Sequence, residues 1–184
     1  MGAANTIVPA DPGTTPDAMH MRRALRLASL SLGMTWPNPG VGCVLVRDGR
    51  VIGEGRHRAC GEQHAEVAAI ADCRARGGDP AGATAYVTLA PCTRQGRQPP
   101  CVTALREARV ARVVAAIADP VQDDARRLLA EAGIAYDVGC MRASAAALHG
   151  GFLSRVLDGR PRLTGKWAMT LDGAIAAAGG DAQW

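Results

Sequence analysis

Aromatic residues are scarce in this chain: one Phe, two Tyr and three Trp make up 3% of 184 residues. So few rings leave little from which to build the stacking platforms that grip single-stranded nucleic acid. The net charge of +4 is also too slight to form the basic footprint of a nucleic-acid partner. No apolar run approaches the ~20 residues that a membrane-spanning helix needs. Residues 1–16 have neither the basic start nor the apolar stretch of a secretory signal. Met1-Gly2 followed by Thr6 formally fits a myristoylation pattern, but nothing nearby supplies the second signal that stable anchoring requires. The six cysteines are irregularly spaced, so they do not read as a disulfide framework. Reduced thiols in the cytoplasm are the expectation, with no nucleic-acid or membrane partner.

A hydrophobic content of 48% in a chain of this length is enough to bury one domain core. Residues 1–16, with Pro9, Pro12, Gly13 and Pro16, read as a flexible tail. From Asp17, a candidate N-cap, an apolar stripe through Met19, Ala24, Leu25 and Ala28 predicts a helix closed by Gly33. Val41–Val46, Asp48-Gly49 and Val51–Gly53 predict a β-hairpin with a two-residue turn. The alternation then continues: helix 65–76, strand 84–89, helix 101–108, strand 110–118, helix 123–132, strand 134–138, and one long helix 141–157. Such alternation predicts an α/β fold with helices on both faces of a sheet.

Within that frame, Gln63-His64-Ala65-Glu66 is followed by Pro91-Cys92 and by Pro99-Pro100-Cys101. One His and two Cys are three of the four ligands of a tetrahedral zinc ion, and a fourth position left to water makes such a site catalytic. His64 and Glu66 are two residues apart, and inside one helix they would point nearly opposite ways. His64 is therefore expected at the helix boundary, with Glu66 in the first turn as the proton carrier. His-x-Glu followed by Pro-Cys and a second Cys is the signature of zinc nucleobase deaminases. Cys43, Cys73 and Cys140 read as small buried hydrophobes.

The long insertion between the cysteines, Thr93-Arg94-Gln95-Gly96-Arg97-Gln98-Pro99-Pro100, resembles the deaminase domain of the bifunctional riboflavin-biosynthesis deaminase/reductase family. The likeness extends through Pro37-Asn38-Pro39-Gly40-Val41-Gly42 and Gly55-Arg56-His57, and covers roughly residues 18–184. It implies a three-layer α/β/α cytidine-deaminase-like fold around a mixed sheet of about five strands, and a deaminase domain over residues 17–158. It implies one zinc ion per chain on His64, Cys92 and Cys101, with Glu66 catalytic. The implied substrate is 2,5-diamino-6-ribosylamino-4(3H)-pyrimidinone 5′-phosphate, a small phosphoribosylated pyrimidine that loses its 2-amino group, and a homodimer or higher homo-oligomer is expected.

Asn38 between two prolines is ordinary turn chemistry taken alone, and a lone His57 is ordinarily structural; the resemblance places both in the substrate pocket. Arg97 is either a phosphate grip or a solvated loop arginine. Residues 159–184 resemble the first strand and loop of the family's reductase domain, the remainder of which is absent from this sequence, so NADPH binding is not expected. The chain departs from the family pattern at Ala90, at Thr93-Arg94-Gln95 and in a shortened segment after Asp119-Pro120. Two other readings stay open: a deaminase of another amino-heterocycle, or an inactive or structural zinc-binding paralogue.

Overall fold

A computed structural model describes residues 15–96, 98–122, 124–176 and 179–180. The tail expected over residues 1–16 lies outside them, apart from its last two residues. The first helix, α1 (Pro16–Ser29), is capped by Thr15, two residues before the expected Asp17 cap. Pro16 suits the first helical turn, and the Thr15 hydroxyl accepts the Ala18 N–H at 3.1 Å. Asp17 is thereby released for another task. Its carboxylate accepts the Tyr86 hydroxyl at 2.7 Å and two guanidinium bonds from Arg112 at 2.9 and 3.1 Å. These bonds tie the helix start to the sheet and hold the Asp17 carboxyl below its ordinary value, the Arg112 bond contributing most. The helix ends at Ser29 rather than at Gly33.

The hairpin forms as expected, with β1 (Gly42–Arg47) and β2 (Arg50–Arg56) antiparallel. Asp48 and Gly49 both have positive φ, 52° and 71°, which is the turn whose twist matches paired strands. The chain continues through α2 (Ala65–Ala75), β3 (Thr84–Val87), α3 (Cys101–Glu107), β4 (Arg112–Ala115), α4 (Ala125–Glu131) and β5 (Ala135–Val138). The five strands are ordered β2-β1-β3-β4-β5. β1 pairs antiparallel with β2 and β3, and the β3–β4 and β4–β5 pairs are parallel. This is the expected α/β/α architecture around a mixed sheet.

Side chains alternate across the sheet and divide the core in two. Cys43, Leu45, Ala85, Val87, Val113 and Ala115 face one side, with Ala69, Ile70, Cys73, Leu105 and Leu129 from α2, α3 and α4. Val44, Val46, Tyr86 and Val114 face the other, with Ala18, Met21 and Ala24 of α1 and Ala145. α2 lies against β2 with almost no space between backbones. A Cβ on Gly55 would sit 2.3 Å from the Ala65 carbonyl oxygen and 2.4 Å from the Ala69 nitrogen. Gly55→Ala is therefore expected to lower stability by roughly 1–3 kcal/mol or more, since a backbone cannot rotate aside as a side chain can. Unchanged denaturant midpoints in that variant would mean that α2 is free to slide.

One helix was expected over residues 141–157; two are found, α5 (Arg142–Leu148) and α6 (Gly150–Leu157). At the break, His149 is 3% exposed and its Nε2 lies 3.2 Å from the Thr88 hydroxyl. Burial pushes His149 down to about 4, and Gly150-Gly151 behind it are poor helix formers. Beyond α6, residues 161–170 form no regular element, and Leu163, Trp167 and Leu171 are exposed. The reductase-like strand expected there does not form among the described residues.

Candidate active site

α2 begins where the metal chemistry requires. His64 is its N-cap, in extended conformation (φ −70°, ψ 160°), and Glu66 lies in its first turn. Across from it, Pro100 caps α3 and Cys101 is the first residue of that helix. Cys92 follows β3 by five residues, at the carboxyl end where parallel sheets open their ligand crevice. The His64 Nδ1 is 3.3 Å from the Cys101 sulfur and 3.5 Å from that of Cys92. Tetrahedral zinc with Zn–N near 2.0 Å and Zn–S near 2.3 Å separates N from S by about 3.5 Å. All three donor atoms lie within 4.8 Å of one another. Chemistry and spacing therefore both fit zinc, and the three residues form the metal site that the sequence predicts.

The Cys101 backbone N–H donates to the Cys92 sulfur at 3.2 Å. Hydrogen bonding from Cys101, with help from His64, holds the Cys92 thiol well below its ordinary value, the direction a metal ligand needs. Glu66 is 4% exposed. Burial first, and then the negative charge of Cys92, push its carboxyl up to about 7.

A cavity of about 310 Å³ opens over these groups, bordered by Asn38, His57, His64, Glu66, Cys92 and Asp119. A larger open groove of about 720 Å³ runs along β2 and α2 beside Arg58 and Asp72 but reaches none of the metal ligands. The smaller cavity is thus the chemical one. His57 is buried, and its Nδ1 lies 3.1 Å from the Gln63 carbonyl oxygen. A carbonyl can only accept, so Nδ1 carries the hydrogen and Nε2 is left as acceptor for the Asn38 amide nitrogen at 3.4 Å. Burial holds His57 below its ordinary value, neutral at pH 7. The structure thus brings Asn38 and His57 together at the cavity, as expected; Arg97 lies outside the described residues.

Three further residues border the cavity that motif reading did not single out. Asp119 is 7% exposed and orders its own loop through the Val121 N–H at 2.8 Å. The Gln122 side-chain oxygen accepts from the Thr93 and Arg94 N–H groups at 2.9 and 3.0 Å, tying the loop after Pro120 to the residues just after Cys92. Arg155 comes from α6. Asp119-Pro120 at the end of a strand was the one local signal available, and it marks a turn without saying what the carboxylate faces.

Residues 14–117 match the cytidine and deoxycytidylate deaminase zinc-binding region. The chain is 48% identical over 171 residues to the riboflavin biosynthesis protein RibD of Escherichia coli K12, covering 91% of this chain and 46% of that protein. It also resembles the crystal structure of a diaminohydroxyphosphoribosylaminopyrimidine deaminase/5-amino-6-(5-phosphoribosylamino)uracil reductase from Thermotoga maritima, with a TM-score of 0.86 and 39% identity over 92% of this chain and 49% of that one. The Rib2 deaminase of Aspergillus oryzae shares the fold at a TM-score of 0.61 and 21% identity, covering 77% of this chain and 94% of that one. The chain therefore spans about half the length of the curated relatives it matches. With His64, Cys92 and Cys101 converging on one ion position and the matched region enclosing all three, this chain belongs to the cytidine and deoxycytidylate deaminase family of zinc enzymes.

Proposed function

We propose that this chain hydrolytically removes the 2-amino group of the phosphoribosylated diaminopyrimidinone used in riboflavin biosynthesis. The observation that carries the reading is the placement of Glu66, buried beside the three metal ligands and bordering the same cavity. Its likeness to the deaminase halves of the RibD proteins supports the choice of substrate. When bound, zinc supplies a Lewis acid that makes water nucleophilic at neutral pH. The Glu66 carboxylate takes one proton from the attacking water and gives it to the ring nitrogen, then carries the remaining proton of the added hydroxyl to the departing amine. Ammonia leaves, and a carbonyl remains in the ring. The exposed Asn38 amide, steadied by neutral His57, is aimed to hydrogen-bond the heterocycle. Arg97 of the inter-cysteine loop is assigned to the substrate's phosphoribosyl end. A cytoplasmic location and pairing of subunits belong to the same reading.

Ammonia release by the zinc-loaded protein tests it, with the phosphoribosyl diaminopyrimidinone beside cytidine, guanine and adenosine. Release from the phosphoribosyl compound alone is expected. Turnover of a control instead would keep the chemistry and move the substrate, with Ala90 and the Gln122-clamped loop as the residues behind the change. Silence on all four would remove the assignment.

A further inference from the structure

We propose that a second groove, between the loop 32–40 and the two ends of α6, binds a phosphorylated heteroaromatic molecule of the nucleotide class, apart from the catalytic substrate. The groove has a volume of about 550 Å³ and touches neither the metal ligands nor Glu66. No residue of the inter-cysteine loop, to which the substrate's phosphate is assigned, borders it among the described residues. It shares Asn38, Pro39, Phe152 and Arg155 with the catalytic cavity, so one wall serves both.

The charge of this groove has one sign. Arg155, Arg160 and Arg162 line it, and among the described residues no Asp or Glu does. Arg23, Arg76, Arg109, Arg112 and Arg127 each meet a carboxylate elsewhere, whereas these three meet none among the described residues. Two of them are nevertheless held in place, by uncharged partners. One Arg155 Nη donates to the Pro37 carbonyl at 3.0 Å, and one Arg162 Nη donates to the Ala147 carbonyl of α5 at 3.1 Å. Arg162 reaches that carbonyl by crossing Gly150, where a Cβ would lie 2.2 Å from its Nη1. The glycine at the helix break therefore makes room for a cation. A carbonyl orients a guanidinium without cancelling its charge, and the remaining N–H donors keep the planar fork that suits phosphate.

Beside these cations stands an aromatic surface. Trp36 lines the same groove and is 69% exposed, and the Arg155 guanidinium carbon lies 5.3 Å from its ring centre. An exposed indole offers a face on which any heteroaromatic base can stack. An inorganic anion would leave that ring unused, and an uncharged base would leave the cations unused. A nucleotide engages both.

Calorimetric titration of the full chain with adenosine 5′-monophosphate, uridine 5′-monophosphate, adenosine and inorganic phosphate tests the site without reference to turnover. Both nucleotides are expected to bind, each more tightly than adenosine or phosphate. Replacing Arg160 and Arg162 together by Ala is expected to weaken nucleotide binding by roughly tenfold or more, the scale of one charged hydrogen bond. Trp36→Ala should bring nucleotide affinity down towards that of phosphate. Gly150→Ala, which displaces Arg162 without removing it, should weaken the nucleotides in the same direction as the double variant. Absence of saturation by roughly 1 mM nucleotide would overturn the proposal, as would equal affinity for phosphate and the nucleotides. Nucleotide binding that survives loss of Arg160 and Arg162 but disappears in Arg97→Ala would place the ligand in the catalytic cavity and overturn it too.

Discussion

Glu66→Gln is expected to lower kcat by at least the roughly 10²–10⁴-fold that a positioned proton carrier supplies, while zinc stays stoichiometric. The substitution preserves size and hydrogen-bonding reach in a residue only 4% exposed, so the fold has no reason to change. What it removes is the capacity to accept protons from water and return them to the ring and to the leaving amine. Both transfers are assigned to one carboxylate because Glu66 is the acidic residue in the first turn of α2, directly after the His64 ligand. Turnover and metal content measured on the same preparation check this. Full activity would take Glu66 out of the mechanism, and loss of zinc together with activity would make it a structural support for the site.

Cys101→Ser is expected to strip the metal. A thiolate contributes charge and softness that a neutral hydroxyl lacks, and Cys101 is the only ligand whose backbone also orients another, through the bond from its N–H to the Cys92 sulfur. Zinc affinity should fall by more than the roughly 10–100-fold that losing an outer-sphere partner causes, and activity should fall with it. Cys60→Ser serves as the control, since Cys60 stands outside the set of donors that converge. Metal analysis after dialysis against a chelator distinguishes the two variants. Undiminished zinc in Cys101→Ser would show that the ligand set is wrong.

The metal centre was legible in the sequence because its constraints are local. His64 must sit just before a helix for Glu66 to share its ion, and two prolines before Cys101 announce the start of another; both are found. The hairpin was legible for the same reason, through Asp48-Gly49. The break at His149 was only half legible: Gly150-Gly151 weaken a helix there, but no helical periodicity records the contact of His149 with Thr88, 61 residues away. Asp17 looked like a cap because Asp is a good one. Its partners Tyr86 and Arg112 become neighbours only when β3 and β4 pair. Residues 163–171 have strand-like composition, yet a strand needs a sheet edge to pair with, and among the described residues none receives them. Arg155 and Gln122 illustrate the same limit at the site: each is an ordinary surface residue until α6 and the loop after β4 close over the metal centre.

The outer face of β2 has a bearing on how copies of this chain behave in a crowded solution. An edge strand exposes backbone groups that can template pairing with another molecule. In the middle of β2, the Glu54 N–H is already taken by the Asp72 carboxylate of α2 at 2.8 Å. The Glu54 side chain is in turn engaged by Arg23, with one guanidinium bond of 2.8 Å. A foreign strand would have to displace a charged acceptor and break an ion pair before forming its own ladder. The helix that carries Glu66 thus also shields this edge of the sheet from pairing with another chain.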